Sequence, residues 1–264
     1  MKKFKKLIPA LCMLIISAVL MGTSTYAWFS MNTRVTANGM QVTAKSDSKF
    51  LQIVAGTDTF KENEALTTAI AKNPSKQVRP VAIGSAVADD LITELTSTAK
   101  ASEIKWAEAF SNDPANSTKT GKYTDVTPKA TLTTEDNLYT LVNSFKVRLN
   151  EKAGATEANE LTVETVKIES TKTTAANNAL RKAVRVLIVC GDSWSVWGVD
   201  TEEGTPKQLN GSSDTSVIAA KVTTTPTEIN VYIFFDGEDG VTTTNNATTL
   251  GTDGYKVEFT LVIK

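Results

Sequence analysis

Apolar residues recur at every second position in most of the apolar stretches of this chain, the period of a β-strand with one buried face. "LYTLVNSFKVRLN" (138–150) alternates through Phe145, Val147 and Leu149, and "LTVETVKIES" (161–170) follows after a loop. "ALRKAVRVLIVC" (179–190) begins helix-like and becomes an apolar run from Val184 to Cys190. "SWSVWGV", "EINVYIFFDG" and "GYKVEFTLVIK" complete the set, with "FLQIVA" (50–55) far upstream. Turn signals separate these segments, no βαβ rhythm links them, and no repeat of fixed period appears. The pattern predicts a mainly β protein, a β-sandwich or barrel.

Between residues 57 and about 135 the character changes toward Ala, Lys, Glu and Asp. Val87, Leu91 and Leu95 recur at spacing four, and Ile104, Trp106 and Phe110 mark the next segment. Two short helices are expected here, with Ser85 and Ser102 as caps. Asp113-Pro114 through Thr127-Pro128 reads as a polar loop. The region is expected to be a helical and loop insertion on the β framework.

The opening of the chain has a different logic. Lys2, Lys3, Lys5 and Lys6 precede an apolar run from Leu7 to Met21, and Thr25 and Ala27 supply small residues for a cut between Ala27 and Trp28. The run of about 15 residues is short for a membrane span, which needs roughly 20. A cleaved signal is therefore expected, with contact to the membrane only during export and a signal peptidase as a transient partner. "PALC" comes too early for a lipoprotein anchor at Cys12. Beyond the cut, Phe29, Met31, Thr33, Val35 and Ala37 share one strand face. Asn38-Gly39 then marks a turn or bulge, after which Met40, Val42 and Ala44 form a second apolar face. The expected layout is a signal at 1–27, an N-terminal strand at 28–38, and a β-sandwich domain at 39–264.

Composition narrows the chemistry. The 264 residues are 41% hydrophobic and 22% charged, with 7 Pro and 14 Gly, enough for one large domain. Thr is frequent and favours strands. Loss of the four signal lysines from 28 basic residues leaves 24 against 29 acidic ones, a net charge of −5. That gives no basic surface for nucleic acid. There is no His, so the commonest general base and metal ligand is missing and a Cys–His nucleophile is excluded. The mature chain holds one thiol, Cys190, expected to be buried. No serine triad, phosphate loop or zinc motif appears, no cofactor is called for, and no enzyme is expected.

Two features are weighed as binding sites. Asp236, Glu238, Asp239 and Asp253 lie in "DGEDGVTTTNNATTLGTDG" (236–254), where oxygen ligands could take calcium. The spacing fails an EF-hand loop at Gly240, so a solvated connection is the stronger expectation. Trp194 and Trp197 could form an aromatic binding face, with core packing the stronger expectation. The sequons at Asn116, Asn210 and Asn246 are expected on surface loops of an exported chain.

"TYAWF" (25–29), the polar strand after it and the turn "TANGMQV" (36–42) resemble the TasA/camelysin family of secreted fibre proteins from Gram-positive biofilm matrices. The resemblance implies cutting by a dedicated signal peptidase and a jelly-roll-like β-sandwich. It also implies polymerisation by donor-strand complementation, in which the N-terminal strand of one subunit fills a groove in the next. Trp28, Phe29, Met31 and Val35 would then be assembly residues, and the partners would be copies of this chain or related subunits. The metalloprotease label of some relatives does not transfer, because no His is present for a zinc motif. The chain ends "FTLVIK", not on an LPxTG-like tail, so sortase linkage is not expected. Two other functions stay open: a monomeric cell-surface binding or adhesion module, and, more weakly, a secreted hydrolase working through carboxylates.

Overall fold

A computed structural model describes residues 35–37, 41–46, 51–60, 68–72, 76–88, 91–109, 124–126, 139–150, 159–171, 179–201, 204–242 and 254–264. The protein is mainly β. The first strands are β1 (Val35–Ala37), β2 (Gln41–Ser46), β3 (Leu51–Ala55), β4 (Thr68–Lys72) and β5 (Lys76–Val78). A middle group follows: β6 (Val81–Gly84), β7 (Ala86–Ala88), β8 (Leu91–Thr93), β9 (Lys105–Glu108) and β10 (Thr124–Val126). The long strands come last: β11 (Leu141–Leu149), β12 (Asn159–Ser170), β13 (Val184–Cys190), β14 (Ser193–Gly198), β15 (Lys207–Gly211), β16 (Val217–Val222), β17 (Thr227–Phe235) and β18 (Tyr255–Ile263).

Two large sheets form the body. One has the order β15-β14-β13-β17-β11-β3 and the other β16-β12-β18-β2-β4. Their facing sides supply one continuous core. Phe145, Val147, Val186, Ile188, Val231 and Ile233 come from the first sheet; Val42, Val163, Ile168, Val257, Phe259 and Leu261 come from the second. Alternation of side chains along each strand sends these inward, as expected of sheet-on-sheet packing. Phe145 and Phe259 meet edge to face across the core, ring centroids 5.6 Å apart. The strand order establishes a sandwich but not a jelly roll. Most pairings are antiparallel, whereas β2 and β18 run parallel.

The stretch at 57–135 is not helical where it is described. Ala86–Ala88 and Leu91–Thr93 are the arms of a hairpin, with Val87 opposite Ile92, and Lys105–Glu108 is the middle strand of the sheet β10-β9-β6. A single 3-10 turn at Ala101–Glu103 is all that remains of the two expected helices. The reason lies in the burial pattern. Ile104 and Trp106 are two residues apart and both buried, which is strand period. The hairpin turn brings Val87 and Ile92 together in space, so their separation along the sequence carries no helical meaning. Ser85 does not cap a helix; its hydroxyl donates to the Glu94 carbonyl across the hairpin. Within this same stretch β4 belongs to the sandwich, paired with β2.

The short sheet β10-β9-β6 covers the outer face of the larger sandwich sheet. Val81, Leu95, Ile104 and Trp106 from the cover pack on Leu187, Trp194, Val196 and Phe234 from the sheet. This makes β13, β14 and β17 apolar on both faces, as buried central strands must be. Trp194 Nε1 donates to the Ala99 carbonyl at 2.8 Å, so the indole is satisfied inside the second core. The backbone of Gly237 donates to the Val81 carbonyl at 2.9 Å, and a Cβ at Gly237 would lie 2.0 Å from the Ala109 carbonyl oxygen. Only glycine lets the cover approach that closely.

Candidate assembly edge and cleft

β1 pairs antiparallel with β5, Val35 opposite Val78 and Ala37 opposite Lys76. The described ladder is three residues long. The same register carried two residues back would set position 33 against Pro80, which has no N–H to give. The next residue, Val81, already pairs with Glu108 in β9 and bridges to Asp236. This ladder therefore has no acceptor strand for residues before position 33. Of the expected assembly residues, Val35 lies in β1; Trp28, Phe29 and Met31, and the cleavage residue Ala27, lie outside the described residues.

The sandwich has four edge strands: β15 and β3 in one sheet, β16 and β4 in the other. They differ in exposure. In β3, Leu51, Gln52, Ile53 and Val54 are all buried, so both faces are covered. β16 joins β12 through a ladder with two register shifts. β4 exposes Ile70 and β15 exposes Leu209, the most exposed large hydrophobic side chains among the described residues.

Beside β15 lies a cleft of about 350 Å³ between the outer sheet face and the hairpin. Ile83, Leu95, Val196, Leu209 and Phe234 form its apolar part, and Glu94, Arg185, Asn210, Asp236 and Glu238 its polar part. Asn210 is held on both sides. Its Nδ2 donates to the Leu95 carbonyl at 2.8 Å and its Oδ1 accepts the Gly211 N–H at 2.8 Å. Asn210 thus sits on a strand with its amide engaged, which corrects the expectation of a surface-loop sequon. Asn116 and Asn246 lie outside the described residues.

Arg185 is the charged residue inside the apolar run "VRVLIVC", and it organises the acidic turn. Its Nη2 lies 2.9 Å from Asp236 Oδ2 and 3.4 Å from Asp239 Oδ2, while its Nη1 donates to the Lys182 and Val184 carbonyls. Lys182 Nζ is 3.9 Å from Asp239 Oδ1. The carboxylates also cap their own turn: Asp236 Oδ1 accepts the Glu238 N–H and Asp239 Oδ1 the Val241 N–H. Asp239 is buried, so this part of the loop is folded into the protein, not solvated as expected. The carboxylates weighed for calcium are here given to Arg185 and Lys182. Asp253 lies outside the described residues, and no group of metal-ligating side chains occurs among the described ones.

Cys190 is a free, buried thiol, and burial pushes its pKa up to about 11. Trp197 is buried in the main core and Trp194 in the outer one. Neither presents an aromatic face to a ligand, in keeping with the core expectation. Among the described residues no helix is long and apolar enough to cross a membrane. Sequence reasoning missed Arg185 and the cleft. A lone arginine in an apolar strand is the signal that a buried acidic partner must exist. No family model, curated protein or solved structure matches the chain.

Proposed function

We propose that the chain is an exported structural subunit of a surface or matrix fibre, joined by an N-terminal strand that completes a sheet in a neighbouring copy. The observation that carries this reading is the short self-pairing of the N-terminal strand. Three residues pair with β5, Pro80 ends the ladder, and the alternating segment ahead of them has no continuation on that strand. A two-layer sandwich with unpaired edges is the scaffold such a strand requires. Ladder hydrogen bonds supply affinity and alternate side chains supply register.

The energetics set what assembly needs. Burying Phe29 and Met31 would stabilise the contact by about 1.5–3 kcal/mol each. Ordering each residue of the segment costs about 1–2 kcal/mol in backbone entropy. The apolar anchors alone do not offset a strand of seven or more residues, so edge hydrogen bonding must contribute. If Val35 also serves as an anchor, the β1–β5 pair must open first.

The rival is a monomeric surface-binding module. The cleft beside β15 is the observation in its favour, whereas the buried tryptophans remove the aromatic face it would use. Electron microscopy of the secreted protein separates the two. Fibres that disappear when residues 28–34 are removed support assembly by strand donation; a wild-type protein that stays monomeric at high concentration supports the binding module.

A further inference from the structure

We propose that the cleft beside β15 receives the N-terminal segment of a second copy, with Arg34 as the side chain it recognises. This rests on the assembly reading above and names the edge and the contact that would carry it.

The argument begins with charge. The cleft is lined by three carboxylates, Glu94, Asp236 and Glu238, and by one cation, Arg185. Arg185 is already committed to Asp236 and to Asp239 behind it. Glu94 is exposed and makes no ion pair among the described residues. The site therefore carries an excess of negative charge over an apolar floor of Leu95, Val196 and Phe234. That combination suits an aliphatic stem with a cationic head. A guanidinium adds planar, two-pronged donation to carboxylate oxygen.

Position supplies the second part. β15 is the last strand of its sheet, and Leu209 and Asn210 of β15 line the cleft. An extended segment laid along β15 would take ladder hydrogen bonds from the free edge and project alternate side chains over the cleft. Lone amines in solution could satisfy the charge but not the edge.

The occupant follows from the sequence. Between residues 28 and 39 the single charged residue is Arg34. It immediately precedes Val35, where the self-paired ladder begins. Arg34 is thus the first residue beyond the strand's own-chain partner, and its charge complements the cleft of a chain whose net charge would otherwise make copies repel.

A charge-swap cycle tests this in the secreted protein, with fibre assembly followed by sedimentation and electron microscopy. Arg34→Glu alone and Glu94→Arg alone should each raise the concentration needed for assembly at least about tenfold. The double variant R34E/E94R should recover most of that loss. Thermal unfolding and near-ultraviolet circular dichroism confirm that each variant is folded; Glu94 is exposed, so its substitution leaves the core intact. A third variant, Leu209→Arg, places a cation in the cleft and should also block assembly. Single variants that assemble like wild type, or a double variant no better than either single, would overturn the proposal. Fibres that persist without residues 28–34 would instead overturn the strand-donation reading on which it rests. Block of assembly by free arginine at the same concentration as by the peptide "WFSMNTRVTA" would show that the edge takes no part, and would overturn the docking of a strand.

Discussion

Val42, in the second strand, and Val257, in the last, are partners in a parallel ladder, and both are buried in the main core. The chain therefore zips its early strand onto its final one. β2 lies between β18 and β4, so residues 41–46 are an integral part of the sandwich, whereas the segment before Val35 is not needed to complete it. Val42→Ala should cost about 2 kcal/mol through lost burial and the cavity left behind. Phe259→Ala, its neighbour on β18, should cost about 3–5 kcal/mol. Urea titration of the folded protein measures both. Removal of residues 28–34 should leave the urea midpoint near its wild-type value.

Arg185 is held by Asp236 and Asp239 with little exposure to water. Arg185→Met should leave the Asp239 carboxylate buried with only Lys182 at 3.9 Å to compensate. The expected loss is about 3 kcal/mol. The paired substitution R185M/D239N should recover part of it, since the stranded charge is then gone. Denaturant midpoints of the two variants check the order.

The outer core should respond separately from the inner one. Trp106 packs edge to face on Phe234, centroids 5.2 Å apart, and also on Tyr232. Trp106→Ala should destabilise by about 3–5 kcal/mol. It should expose the outer sheet face, while the core around Phe145 and Phe259 keeps its packing. Hydrogen exchange should show faster opening for 81–108 and smaller changes for β12 and β18.

The pattern of expected and observed elements has a physical cause. β11, β13, β17 and β18 were legible because branched and aromatic side chains alternate along them, and the sandwich makes that alternation necessary. Val184–Cys190 reads as a continuous apolar run because both of its faces are covered, one by the second sheet and one by the cover. β4 and β15 gave no such signal: "TAIAK" and "KQLNG" are edge strands, short and partly polar. The hairpin at 86–93 was mistaken for a helix because a tight turn and a helical turn both bring residues a few positions apart into contact. The cleft was not legible at all. Its acids come from β8's exit and the turn after β17, and its floor from three strands, a convergence that only the tertiary fold creates.

Cys190 should be inert in the native protein. Its thiol is held above the ordinary value by burial, so its neutral form contributes stability below pH 9 that is lost as pH rises through about 11. At pH 8 a disulfide-exchange reagent should modify it only at the rate of unfolding, and a folded protein labelled within seconds would contradict its burial.

Glu258 bonds Lys45 Nζ at 2.7 Å and lies 3.5 Å from Lys167. The hydrogen bond from Lys45 holds the Glu258 carboxyl below its ordinary pKa. The resulting stability is present above the ordinary glutamate range and is lost as pH falls through the lowered value. Because the pair is part exposed, the effect should stay under about 1 kcal/mol. Lys45→Met should lower stability at pH 7 and make no difference at pH 2, measured by denaturant titration at each pH.

Assembly through the N-terminal segment is tested most directly by imaging the secreted protein with and without residues 28–34, at matched concentration and with folding confirmed by circular dichroism. The account predicts fibres from the whole protein and folded, soluble monomers from the shortened one. Fibres of normal length from the shortened protein, or loss of its fold, would contradict it.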